Sequence, residues 1–259
     1  MRRVITVHGM KRSGNHAIIN WLRQQEKSCF FNDIIMIKPI LLGQKEIPPS
    51  QPFTSWLSDN HYKKSPLSNL AKKIKSRNRS LYVSLEDHEL SIRPFKDIPI
   101  EHINILIIRD ATNHLASRLK SSLSNNYPIY PAEAGPQMDR VIATWKSHAR
   151  EFLGETNQLN NKVCIYYDRW FSSQTYRKRI SKQLDLEFSD RGFSRVSNDG
   201  GGSSFDGRKY DGNNQMMDVL NRKHHLSPEH QQLLEDIFDD ELTALNEKLS
   251  ATVTRQLND

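Results

Sequence analysis

The residues best equipped for chemistry stand near the start of the chain: Val7-His8-Gly9-Met10-Lys11-Arg12-Ser13-Gly14-Asn15-His16. The apolar stretch Val4-Ile5-Thr6-Val7 precedes them and Ala17-Ile18-Ile19-Asn20-Trp21-Leu22 follows, a pattern of strand, tight loop and helix start. Glycines let a backbone approach an anion closely, and the first turn of a helix offers N–H groups that have no intrahelical partner. The expected chemistry is binding of a phosphate-like group. A second reactive set, Glu86-Asp87-His88, follows the apolar run 81–85. Strand alternation would put Glu86 and His88 on one side, where they could act as a base and its orienter. The competing reading is an acidic strand-end turn exposed to water.

The four residues between Gly9 and Gly14 give the spacing of a P-loop, but the two positions that follow depart from one. A nucleoside-triphosphate enzyme places Lys there for the β/γ-phosphates and Ser or Thr for Mg²⁺. This chain has Asn15 and His16, and carries its basic pair, Lys11-Arg12, inside the loop. The loop resembles that of the PAPS-dependent sulfotransferases (donor 3′-phosphoadenosine 5′-phosphosulfate), which reads approximately Gly-x-Pro-Lys/Arg-Ser-Gly-Thr-Thr. Gly9, Arg12, Ser13 and Gly14 match; Lys11 replaces the Pro, and Asn15 and His16 replace the two Thr.

A second segment carries the same resemblance. Arg109 follows the apolar run 103–108, and Ser117 comes eight residues later, the arrangement with which that family holds the 3′-phosphate of PAPS. The physical logic is a guanidinium fork for a dianion plus a hydroxyl from the ensuing helix. Gly207-Arg208-Lys209-Tyr210 looks like the Gly-Arg-Lys segment that closes over the 3′-phosphate in glycan sulfotransferases; a solvated basic turn is the alternative. The strand end Tyr166-Tyr167-Asp168 resembles the family's Tyr-Glu-Asp and is a fold marker.

The resemblance implies a P-loop NTPase-like sulfotransferase fold, PAPS as donor, adenosine 3′,5′-bisphosphate (PAP) as product, and no metal. It gives the loop's Arg12, with Lys11 as helper, the task of stabilising the leaving oxygen. Glu86 ranks first as base and His88 second. His16 is another candidate base, although contact with phosphate in place of the family's Thr suits it better. Asp33 could line the acceptor pocket. The acceptor itself is expected to be a small molecule, such as a secondary metabolite of a bacterial pathway, and the acids at 86, 87 and 89 would suit a cationic one. A P-loop kinase with an atypical loop is the first alternative.

These residues need a scaffold, and the rest of the chain reads as one. Strand-like runs at 4–7, 29–35 (interrupted by Asn32-Asp33), 81–85, 103–108 and 163–167 alternate with helical patterns, which argues for an α/β protein with a central parallel sheet flanked by helices. In such sheets ligands bind beyond the carboxyl ends of the strands, where residues 9–16, 86–88, 109 and 168 all fall. Asp110 or Thr112 is a candidate cap for the helix carrying Leu115 and Leu119. His148 shares a face with Val141, Trp145, Ala149 and Phe152, so it reads as packed rather than catalytic. Ser227-Pro228-Glu229 opens a last helix through Leu234, Ile237, Phe238, Leu242, Leu245 and Leu249.

Residues 1–259 are read as a single domain with an insertion or acceptor-side lid at 36–79, where prolines cluster, and a glycine-rich loop at 189–214 that is mobile or ordered by ligand. Within the insertion Leu67, Leu70 and Ile74 mark a lysine-faced surface helix. A net charge of +7 favours an anionic ligand or surface. A nucleic-acid or anionic-surface binding protein is the remaining alternative, but Tyr62 alone beside the basic stretch at 63–79 does not supply interleaved aromatics, so neither nucleic acid nor membrane is expected as partner. Cys29 and Cys164 lie in strand-like runs and read as free thiols. With no signal-like segment and no membrane-length apolar run, a cytoplasmic setting is expected.

Overall fold

The computed structural model describes residues 2–32, 79–92, 100–124, 136–197 and 202–255. Asp33 and the rest of the run to 35, the expected insertion apart from Arg79 with its helix at 67–74, the stretch 125–135, and Gly200 and Gly201 lie outside the described residues. The strands are β1 (Arg3–Gly9), β2 (Ser28–Phe31), β3 (Ser80–Glu86), β4 (Glu101–Ile108) and β5 (Lys162–Tyr166), all parallel, in the order β2-β3-β1-β4-β5. Every residue of β1 and β3 is buried, the polar Thr6, His8, Ser84 and Glu86 included, so neither strand alternates apolar with exposed polar positions. The chain is an α/β protein with a central parallel sheet flanked by helices.

The register sets the height of the site. Gly9 pairs with Glu86, so the loop after β1 and the carboxylate ending β3 leave the sheet at one level. The chain departs from β1 toward β2 on one side and from β4 toward β5 on the other. A crevice therefore opens between β1 and β4, where the connections diverge.

Helix α1 (Asn15–Arg23) buries Ile18, Ile19, Trp21 and Leu22. Burial of one such side chain contributes about 1.5–3 kcal/mol. Helix α2 (Ala111–Ser124) follows β4, and its cap is Asp110: Asn113 N donates to Asp110 Oδ1 at 2.8 Å. Helix α3 (Pro136–Phe152) carries Trp145, His148 and Ala149 into the core. Beyond β5 come the short α4 (Tyr167–Ser172) and α5 (Gln174–Gln183). Asp168 thus sits in the first turn of α4 rather than at the tip of a strand.

The last helical pattern is two helices. Helix α6 (Pro228–Asp236) ends, and α7 (Asp240–Arg255) restarts with Asp239 as its cap, whose Oδ1 accepts from Leu242 N at 2.7 Å. Apolar spacing continues across the break, so periodicity alone reads as one helix. Cys29 is buried and Cys164 half-buried, both free thiols, and burial pushes the Cys164 thiol up to about 11. Among the described residues no helix is long and apolar enough to cross a membrane.

Candidate active site

The loop between β1 and α1 is built around two glycines for two different reasons. Gly14 caps α1 with φ +89°, and a Cβ there would lie 2.1 Å from the ring of Tyr167. At Gly9 a Cβ would lie 2.2 Å from the side-chain oxygen of Asn15. That asparagine replaces the P-loop lysine and is a buried strut: Nδ2 donates to Met10 O at 3.1 Å and to Glu86 Oε1 at 2.9 Å. Ser13 is buried too, its Oγ 2.7 Å from Met10 O and 2.8 Å from Asn15 Oδ1. Asn15 and Ser13 therefore shape the loop from beneath. His114, on α2, adds an outer tie through Nε2 to Lys11 O at 3.0 Å.

Arg12, at φ +69°, faces the crevice. Its Nη2 donates to Ser121 Oγ at 2.9 Å and its Nη1 to Gly202 O at 3.2 Å. Lys11 lines the same cavity, while its backbone N–H donates to Asp87 Oδ1 at 3.0 Å.

Among the acids after β3, only Glu86 lines the cavity. Its Oε1 meets Asn15 Nδ2 and stands 3.7 Å from His16 Nε2, which in turn lies 2.8 Å from Asn32 Oδ1. Asp87 takes a left-handed backbone, φ +61°, and is a structural tie. Arg118 holds both its oxygens, at 2.9 and 3.0 Å. The expected alternation of Glu86 with His88 does not occur, because the strand ends at Glu86 and the turn at Asp87 re-aims the chain. His88 is absent from the cavity lining, and its carbonyl oxygen accepts from His148 Nε2 at 3.2 Å. The orienting neighbours of Glu86 are Asn15 and His16.

Arg109 and Ser117 come together as the family resemblance implies: Arg109 Nη1 donates to Ser117 Oγ at 3.1 Å and to Arg12 O at 3.2 Å. The Nη2 group donates to Val219 O, and the guanidinium lies 5.0 Å above the Tyr167 ring. Both residues line the cavity and both are buried. The Arg12 carbonyl thus ties the loop after β1 to Arg109 at the end of β4.

The glycine-rich segment reaches the cavity through other residues than Gly207, Arg208 and Lys209. Arg208 pairs with Asp211 at 3.0 Å and Lys209 lies over the Tyr210 ring, both outside the lining. Gly207 closes a small bridge with Ser203. Two arginines of this late stretch line the cavity: Arg195, paired with Asp211 at 3.0 Å, and the buried Arg222, 3% exposed, whose Nη2 donates to Asp206 Oδ2 at 2.8 Å and to Ser203 Oγ at 3.1 Å. Burial, with Arg109 nearby, pushes the Arg222 pKa down and the Asp206 pair opposes that. In the sequence Arg222 stands in an unremarkable basic turn, Asn221-Arg222-Lys223, and only the fold distinguishes it from Arg208.

The cavity measures about 170 Å³. Its lining combines the cations Lys11, Arg12, Arg109, Arg195 and Arg222 with the apolar side chains of Tyr167, Trp170, Phe171, Met217 and Val219, and the Arg109 guanidinium lies against Tyr167. The aromatics follow directly on the Tyr-Tyr-Asp strand end, so the fold marker also supplies an apolar wall. Nearby, buried Asn214 leaves its Oδ1 without a hydrogen-bond partner. Cations for two anionic groups, an apolar wall for a planar ring and one carboxylate can together hold a doubly phosphorylated nucleotide beside a group to be deprotonated.

No protein-family model matches the chain, and no curated protein does. Among solved structures it is similar to a sulfotransferase domain from the curacin biosynthetic pathway, at 14% identity and a TM-score of 0.48, over 96% of this chain and 98% of that one. It is similar as well to mouse sulfotransferase SULT7A1 complexed with PAP, at 11% identity and a TM-score of 0.47, over 95% and 89% of the two chains. Retinol dehydratase in complex with androsterone and inactive cofactor PAP follows at 14% identity and a TM-score of 0.40, over 96% and 80%.

Proposed function

We propose that this protein is a sulfotransferase that moves a sulfuryl group from PAPS to a hydroxyl or nitrogen of a small-molecule acceptor, such as a secondary metabolite. The observation that carries the reading is the junction of two anion subsites, the loop 9–16 and the Arg109–Ser117 pair, through Arg12 O at 3.2 Å. A nucleoside triphosphate strings its anionic groups along one chain. A nucleotide with a 3′-phosphate and a 5′-phosphosulfate needs two separate cradles. Arg109, Ser117 and Arg222 are assigned to the 3′-phosphate, and the loop of Gly9, Lys11, Arg12, Ser13, Gly14, Asn15 and His16 to the phosphosulfate.

PAPS supplies an activated sulfuryl group, and negative charge gathers on the bridging oxygen as PAP leaves. Arg12, assisted by Lys11, is placed to stabilise that charge, the largest usual contribution to such a transfer. Glu86 is assigned as the base that accepts the acceptor's proton, with Asn15 fixing one of its oxygens. The kinase alternative is disfavoured by Asn15, whose neutral side chain is spent on Met10 O and Glu86 and cannot act as the phosphate-binding lysine.

Calorimetry with PAP against ATP/Mg²⁺ tests the reading. Binding of PAP with little or none of ATP/Mg²⁺ is expected, and the reverse order would overturn it. Arg109→Ala should weaken PAP by about 10- to 100-fold, the effect of a lost charge-assisted contact. Adenosine 5′-phosphate, which has no 3′-phosphate, should lose far less; equal losses would remove Arg109 from that role.

A further inference from the structure

Helix α2 turns two hydroxyls toward two of the arginines that line the crevice. Ser117 and Ser121 are four residues apart and share a face of the helix. Ser117 Oγ accepts from Arg109 Nη1 at 3.1 Å, and one turn on, Ser121 Oγ accepts from Arg12 Nη2 at 2.9 Å. Ser121 is fully buried and Ser117 is 3% exposed. On the other edge of the Arg12 guanidinium, Nη1 donates to Gly202 O at 3.2 Å. Arg109 closes the circuit by donating to Arg12 O.

An arginine side chain has considerable rotamer entropy to lose when it is fixed. A cation that must meet charge as it develops is most effective when that ordering is complete beforehand. Ser121 Oγ and Gly202 O each accept from one Nη of Arg12, and two such contacts fix the plane of the guanidinium.

We infer that Ser121 is a positioning residue for the transfer cation: its hydroxyl holds the Arg12 guanidinium at the crevice, and α2 thereby sets the distance between the two anion subsites. The inference rests on the assignment of Arg12 made above. No role falls to Ser121 from the sequence, because its partner lies 109 residues away.

The test uses PAPS itself, with water as acceptor. The S–O bond to the phosphate breaks, its electron pair leaves with PAP, water's oxygen bonds to sulfur, and the proton of the water passes to solvent. Ser121→Ala should slow PAP release about 10-fold while leaving the affinity for PAP within about twofold; Ser121→Thr, which keeps the hydroxyl, should recover most of the rate. In an Arg12→Ala background Ser121→Ala should have no further effect. Multiplying losses, or an equal loss of PAP affinity and rate, would overturn the inference. A second readout does not depend on turnover. In the ¹⁵N side-chain spectrum of arginine-labelled protein, assigned with Arg12→Lys, the Arg12 signal should show restricted rotation that Ser121→Ala releases, and an unchanged signal would overturn the contact. Failure of the wild-type chain to bind PAP would instead count against the sulfotransferase reading, and with it the role, whatever the spectrum shows.

Discussion

Two arginines of the same late segment have opposite fates, and their substitution separates contact with ligand from surface charge. Arg222 is buried against Ser203 and Asp206 at the cavity, whereas Arg208 is half exposed and paired with Asp211. Arg222→Ala should therefore weaken PAP by at least about 10-fold, and Arg208→Ala by no more than about twofold, since an exposed pair contributes little. Calorimetry on both variants checks the order, and a larger loss from Arg208→Ala would restore the assignment suggested by Gly207-Arg208-Lys209. Arg222→Ala also strands Asp206, so Arg222→Lys serves as control: it keeps the charge but loses the fork. Glu86 poses a different question, because its role is in turnover. Glu86→Gln keeps the volume and an oxygen for Asn15 Nδ2 to meet, and should lower the rate with a suitable acceptor by about 100-fold, within the usual range for a general base. PAP affinity should stay nearly constant; an unchanged rate would move the base elsewhere, with His16, 3.7 Å away, as the next candidate.

At the scale of elements, what the sequence makes legible is whatever is local. The strands β1, β3 and β4 announce themselves because burial on both faces keeps their centres mostly apolar, and the pairing of Arg109 with Ser117 is implied by the family resemblance that their eight-residue spacing carries. The orienting partner of Glu86 is misread for an equally local reason. A left-handed residue at Asp87 ends the alternation, and an aspartate carries little warning of that conformation. Arg222 and Ser121 are invisible beforehand because their partners arrive from elsewhere in the chain. The break between α6 and α7 is a further case: the apolar period runs through it, and only the capping of Leu242 N by Asp239 marks the restart. Asp239→Ala should cost about 1 kcal/mol, the usual value of such a cap, plus a smaller loss from its pair with Lys146. Asp239→Asn keeps the cap and drops the pair, so urea denaturation should rank the wild type first, then Asn, then Ala. Equal stabilities for the Ala and Asn variants would show that the cap contributes nothing.

For the molecule as a whole, the basic surplus hides a set of buried groups whose charge states tie folding to pH. Burial lowers His8 and His148 to about 4 and His114 well below its ordinary 6.5, and each is held by one hydrogen bond, to Asn104, to His88 O and to Lys11 O respectively. A histidine with a depressed folded pKa contributes stability that is complete above pH 6.5. That stability is lost as pH falls toward 4, because the unfolded chain takes up the proton first. Each group contributes a slope of about 1.4 kcal/mol per pH unit inside its window. Asp168 runs the other way: burial raises it to about 6, with the Arg109 guanidinium opposing, so its contribution is complete below 3.8 and is lost as pH rises through 6. Between pH 6 and 4 it offsets about one histidine, and the other two dominate. The melting temperature should therefore fall on acidification from pH 7 to 4. His148→Gln, which can still donate to His88 O, should make that fall shallower, and Asp168→Asn should make it steeper. The second comparison decides the sign, because Asp168→Asn removes the one group among these that gains from acid. A melting temperature for Asp168→Asn that kept a constant offset from the wild type between pH 4 and 7 would mean that Asp168 is ionised throughout, and that Arg109 outweighs burial at the edge of the site.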